Sequence, residues 1–109
     1  MKSRSIALAA SFAVLLLGPL PARAQDSVDR GRALVETNCA RCHAVGAEGD
    51  SPLEGAPPFR TLGERYPIDA LEEAFVGAID TGHAQMPVFE ATQAQIDDIL
   101  DYIATMMEE

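Results

Sequence analysis

What this chain lacks narrows its reading first. It has no tryptophan and only two tyrosines and four phenylalanines in 109 residues, which excludes a large core built from aromatic side chains. Lysine occurs once, at Lys2, and eight cationic residues stand against seventeen carboxylates. A surface this acidic repels nucleic acid and anionic lipid and so excludes both as partners, while leaving open steering toward a basic protein surface. The apolar run near the start, Ile6 to Leu17, holds twelve residues, short of the roughly 20 that a membrane helix needs. Cysteine is confined to Cys39 and Cys42, and histidine to His43 and His83.

What is present begins with an export signal. Lys2 and Arg4 form a short basic region, the apolar run follows, and Ala22-Arg23-Ala24 is a small-x-small cleavage site. Residues 1–24 are therefore expected to be a cleaved secretory signal peptide, with a retained N-terminal anchor as the alternative. Residues 25–109 are expected to form one domain. Cleavage removes three cations and takes the formal net charge from −9 to −12, with Arg30, Arg32, Arg41, Arg60 and Arg65 remaining. A domain of this size has a small core and commonly needs a staple.

The staple is legible in Cys39-Ala40-Arg41-Cys42-His43. C-x-x-C-H is the covalent haem attachment signature, in which two sulfurs add to the vinyl groups and the adjacent imidazole binds the iron. A thioredoxin-like redox pair would need a strand before Cys39, and none is read there. Zinc would normally take four protein ligands at finger spacing, which His83 does not provide. A disulfide across so short a loop would stabilise little. An exported chain is in the compartment where this attachment takes place, so the periplasm is the expected location.

Two further stretches are read around that motif. From Ala44 to Arg65 the chain is rich in Gly, Pro and small residues, a span whose length suits wrapping a haem. A carbonyl from Ala56-Pro57-Pro58 is expected to accept the His43 Nδ1 proton and leave Nε2 for iron. Arg60 and Tyr66 are candidates for a haem propionate. Further on, Gly82-His83-Ala84-Gln85-Met86-Pro87-Val88-Phe89 presents a thioether from a Pro-flanked loop. A soft sulfur favours Fe(II), so Met86 is the candidate for the sixth ligand and His83 its competitor.

The helices frame these stretches. A first helix is expected from about Asp29 to Cys39, capped by Ser27 or Asp26, with Gly31, Leu34 and Val35 on one face. Gly31 costs roughly 1 kcal/mol of helix stability relative to Ala, a cost that close approach by another helix offsets. A second helix is expected over 68–79, ended by Gly82. The last opens on a Thr92…Gln95 capping box and carries Ile96, Ile99, Leu100 and Ile103 inward, with Asp97, Asp98 and Asp101 facing away. Met106 and Met107 read as packing or surface, and Glu108 and Glu109 lie at the wrong end for the helix dipole.

Taken together, C-x-x-C-H, the M-P loop and the terminal amphipathic helix make residues 26–107 resemble a class I cytochrome c, similar to small bacterial c-type cytochromes with a GH-x-x-MP-x-F segment. The resemblance implies an all-α fold with three main helices and long loops around one haem c attached through Cys39 and Cys42. It implies that Gly31 and Val35 meet Ile99 and Tyr102, that His43 and Met86 are axial ligands, and that electrons pass through an exposed haem edge where redox proteins dock. Val35 departs from the pattern, since many relatives place an aromatic there, and so does the loss of all lysine after the signal. The expected function is a soluble periplasmic one-electron carrier, not an enzyme, either a monomer or a subunit of a complex. The alternatives are gas binding or sensing, weak peroxidase chemistry at a displaceable sixth ligand, and a dedicated electron-transfer subunit of one oxidoreductase.

Overall fold

The computed structural model describes residues 9–11, 13 and 22–107. The basic region and most of the apolar run of the leader lie outside the described residues, as do Glu108 and Glu109. The elements, in order, are α1 (Ala22–Asn38), a 3-10 turn (Phe59–Thr61), α2 (Leu62–Arg65), α3 (Ile68–Ala74), β1 (Ala78–Ile79), β2 (Phe89–Glu90) and α4 (Gln93–Met107). The architecture is all-α in substance, with the two strands forming only a two-residue antiparallel ribbon.

The frame is the crossing of α1 and α4, and its closeness comes from Gly31. A Cβ at that position would overlap the Asp98 carbonyl oxygen and lie 2.6 Å from its carbon and 3.0 Å from Tyr102 Cβ, so only hydrogen fits. Val35, one turn on, is fully buried, as are Ile96 and Ile99 of the facing helix. These residues share one cluster with Phe59, Leu71, Phe75, Ile79, Leu100, Tyr102, Ile103 and Met106. The apolar stripe of α4 is thus the middle of the core, and α1, α3 and the 3-10 turn cover it.

The start of α1 corrects the expected boundary. The helix is already formed at Ala22, through Ala, Arg and Gln residues of good helix propensity. Ser27 therefore caps nothing. It is buried within the helix, and its hydroxyl lies 2.8 Å from Asp98 Oδ1 and in hydrogen-bond contact with Asp101 Oδ2. Arg30 adds two bonds to Asp98, at 2.8 and 3.1 Å. Asp98 and Asp101 accordingly do not simply face solvent, because they tie α4 to α1.

The second expected helix is also shorter. It ends at Ala74, where Phe75 turns inward with its amide on the Leu71 carbonyl. Gly77, at φ +79°, then reverses the chain, and Ile79 leaves the helical register to pair with Phe89 in the ribbon. A left-handed residue of this kind stops a helix at little steric cost only when it is glycine. Within the loop-rich middle segment, Leu62–Arg65 forms a short helix, and Gly63 sits close against Met107.

The opening of α4 matches its sequence signature. Thr92 N–H donates to Gln95 Oε1 at 3.0 Å, and Gln95 N–H donates to Thr92 Oγ1 at 3.2 Å, which satisfies two donors that the first turn would otherwise leave unpaired. Tyr102 is buried in the stripe, with its hydroxyl on the Val45 carbonyl and the Arg32 guanidinium 5.6 Å from its ring centre. The last helix thereby holds the start of the loop that follows His43.

Candidate haem attachment site

The site grows out of the end of α1. The Val35 carbonyl accepts from both Cys39 N–H and Ala40 N–H, at 2.8 and 3.0 Å, which closes the helix. The Cys39 carbonyl then accepts from Cys42 N–H at 3.1 Å and His43 N–H at 2.9 Å. One carbonyl thus winds the motif into a further turn, and residues three and four apart in such a turn share a side. Cys39 and Cys42 form no disulfide with each other and are both half-buried, with Cys39 packed against the core. Burial, with Cys42 beside it, pushes the Cys39 thiol up to about 11.

His43 is oriented by the proline segment. Its Nδ1 lies 2.8 Å from the Pro57 carbonyl oxygen, and a carbonyl only accepts, so the proton is on Nδ1 and Nε2 keeps its lone pair. Phe59 packs beside the imidazole, with ring centres 5.2 Å apart and planes at 50°. The loop that delivers Pro57 is anchored on the same motif: Leu53 N–H donates to the Cys42 carbonyl, Phe59 N–H to the Ala44 carbonyl, and Ala44 N–H to Ser51 Oγ. Pro58 is half-buried, and its carbonyl accepts from the amide and hydroxyl of Thr61.

The other expected ligand lies on a loop clamped at its base by the ribbon. Met86 is half-buried and packs against the core cluster, its amide donates to the His83 carbonyl at 3.0 Å, and Thr81 Oγ1 lies 3.4 Å from its sulfur. His83 is exposed. Arg60 directs one guanidinium nitrogen to the Gly49 carbonyl at 2.6 Å, so it braces the loop after the motif. Tyr66 is 44% exposed beyond the end of α2. Residue-by-residue reading missed Thr81, Ser51 and the tie from Tyr102 to Val45. A hydroxyl near a methionine in a short Gly-containing loop was the available signal for the first, and nothing in the sequence marks the other two.

The residues present fit a covalently bound haem: two thiols on one turn, an imidazole with a fixed tautomer, and a thioether from a separate, clamped loop. Among the described residues, thioredoxin chemistry finds no strand ahead of Cys39, where α1 runs instead. Among the described residues, no group of three or more His, Cys, Asp and Glu side chains is placed to hold a metal ion. An α-helical frame that presents thiols and imidazole in this way defines a c-type haem protein. The cytochrome c family model matches residues 28–107, and the chain belongs to that family. The chain is 28% identical over 82 residues to a cytochrome c-553-like protein of Synechocystis sp., covering 75% of this chain and 71% of that one. No solved structure gives a significant match. As a cytochrome c the protein carries haem c on Cys39 and Cys42 and is a haem-based electron carrier with redox partners.

Proposed function

We propose that the protein is an exported, freely diffusing one-electron carrier in which His43 and Met86 are the axial ligands and residues 1–24 are removed on export. The observation that carries this reading is the 2.8 Å contact between His43 Nδ1 and the Pro57 carbonyl. It fixes the tautomer and the ring orientation and leaves Nε2 for the iron. Haem c, when bound, supplies exchange of one electron between Fe(III) and Fe(II). The protein's part is to keep both ligands fixed through the exchange. His43 is held by a motif continuous with α1, and Met86 by a loop clamped between β1 and β2. On this reading Tyr66 and the guanidinium nitrogens of Arg60 not engaged by the Gly49 carbonyl are the candidates for binding a propionate. The net negative charge favours a partner with a basic surface, and the haem edge is the proposed docking face on the strength of the family resemblance alone. Among the described residues no helix is long and apolar enough to cross a membrane.

The test is the absorption spectrum of the haem-loaded mature protein in both oxidation states, beside Met86→Ala and with added carbon monoxide. The native oxidised form is expected to show a methionine sulfur-to-iron charge-transfer band that the variant lacks, and only the variant is expected to take up carbon monoxide readily. Carbon monoxide uptake by the native protein would instead favour gas binding or peroxidase chemistry. N-terminal sequencing of the protein from the periplasmic fraction is expected to begin at Gln25.

A further inference from the structure

The loop between the strands is folded by its own side chains. Asp80 Oδ1 accepts from Gly82 N–H at 3.1 Å, Thr81 Oγ1 accepts from His83 N–H at 3.4 Å, and the His83 carbonyl accepts from Met86 N–H at 3.0 Å. Gly82, at φ +71°, permits the bend that brings these groups together. An amide can only donate, so the bond from His83 engages a lone pair of the Thr81 hydroxyl and leaves its single proton free. Met86 Sδ is 3.4 Å from that hydroxyl.

We propose that Thr81 is a positioning residue for the Met86 sulfur: its hydroxyl donates to one lone pair of Sδ and leaves the other free to bind the iron. This rests on the reading of Met86 as axial ligand. The hydrogen bond has two effects of known sign. It stabilises the bound orientation of the thioether against displacement. It also places a partial positive charge beside the sulfur, which opposes the extra charge of Fe(III) and raises the reduction potential.

Three variants of the haem-loaded protein test this. Thr81→Val keeps the shape and removes the hydroxyl, Thr81→Ala removes the hydroxyl without adding a branch, and Thr81→Ser restores it. Two quantities are read: the reduction potential, and the affinity of the oxidised protein for added imidazole, which competes with Met86. Loss of one hydrogen bond raises the displaced population, so imidazole should bind about five-fold more tightly to the Val and Ala variants. Their potentials should fall, and Thr81→Ser should stay near native on both measures. If Val, Ala and native proteins agree in potential and imidazole affinity while all show the sulfur-to-iron band, the Thr81 proposal is overturned and the Met86 reading stands. If the native protein lacks that band, both fall together.

Discussion

Substituting Gly31 by alanine sets two physical effects against each other with opposite signs. Helix propensity alone predicts stabilisation by about 1 kcal/mol, because alanine loses less backbone freedom than glycine on entering a helix. The packing predicts the reverse. The new Cβ would lie 2.6 Å from the Asp98 carbonyl carbon, which is about 0.8 Å inside the 3.4 Å of ordinary contact. The obstacle is backbone in the middle of α4, so no side-chain rotation relieves it and the two helices must separate. Overpacking of this kind costs roughly 1–3 kcal/mol. Separation also stretches the 2.8 Å contact between Ser27 and Asp98, worth about 1 kcal/mol more. After subtracting the propensity gain, the expected net loss is about 2 kcal/mol. Urea unfolding of the haem-loaded mature protein, followed by far-ultraviolet circular dichroism, measures it as a lower midpoint at unchanged slope. A variant as stable as the native protein, or more so, would refute the idea that this helix crossing depends on the missing side chain.

Three further outcomes are expected. Tyr102→Phe removes the hydroxyl that holds the Val45 carbonyl and should cost about 1 kcal/mol in the same assay, since it leaves that carbonyl without its partner. The Asp98 carboxyl is held below its ordinary value, first by the hydrogen bond from Arg30, with Ser27 adding to it and burial opposing. Because the folded-state value is the lower one, this stabilisation is complete above the ordinary aspartate range and is lost as pH falls through the folded value. The stability gap between native protein and Asp98→Asn should therefore close on acidification, as read from unfolding curves between about pH 6 and pH 2. Hydrogen exchange should find the amides of 80–88 less protected than those of 31–38 and 96–103 in the oxidised protein, because the loop is closed by short-range bonds and the helices by the core.

Legibility in the sequence followed how local the governing physics is. The capping box at Thr92 and Gln95 and the α4 stripe were readable because each depends on residue type at short spacing, and the His43–Pro57 contact, fourteen residues apart, because an iron-binding imidazole needs an acceptor for its other nitrogen. The use of Gly31 was readable for a related reason: a glycine inside a helical pattern needs a compensating close approach. Errors arose where tertiary partners decided the outcome. Ser27 looks like a cap until Asp98 and Asp101 are placed opposite it. Ile79 keeps helical spacing with Phe75 yet pairs with Phe89, because Gly77 turns the chain first and β2 offers a free edge. The segment between the motif and α2 has no periodicity to read. Its ties, such as Arg60 to Gly49 and Ala44 to Ser51, follow only from where the turns put the backbone.

The two sides of the site are held by different kinds of interaction. Cys39, Cys42 and His43 continue a helix that is locked onto α4 by the Gly31 contact, by Ser27 and Arg30, and by buried Val35. Displacing them requires breaking the core. Met86 touches the core only at its edge, half-buried, and is otherwise held by a two-residue ribbon and by hydrogen bonds that reach at most five residues along the chain. Bonds that close so short a loop can open without disturbing α1 or α4, so the methionine side yields before the histidine side. On the proposed ligation by Met86, loosening of residues 80–88 is the expected route to an open sixth position. Within that loop, the sulfur has one side-chain donor within reach, and that donor is Thr81.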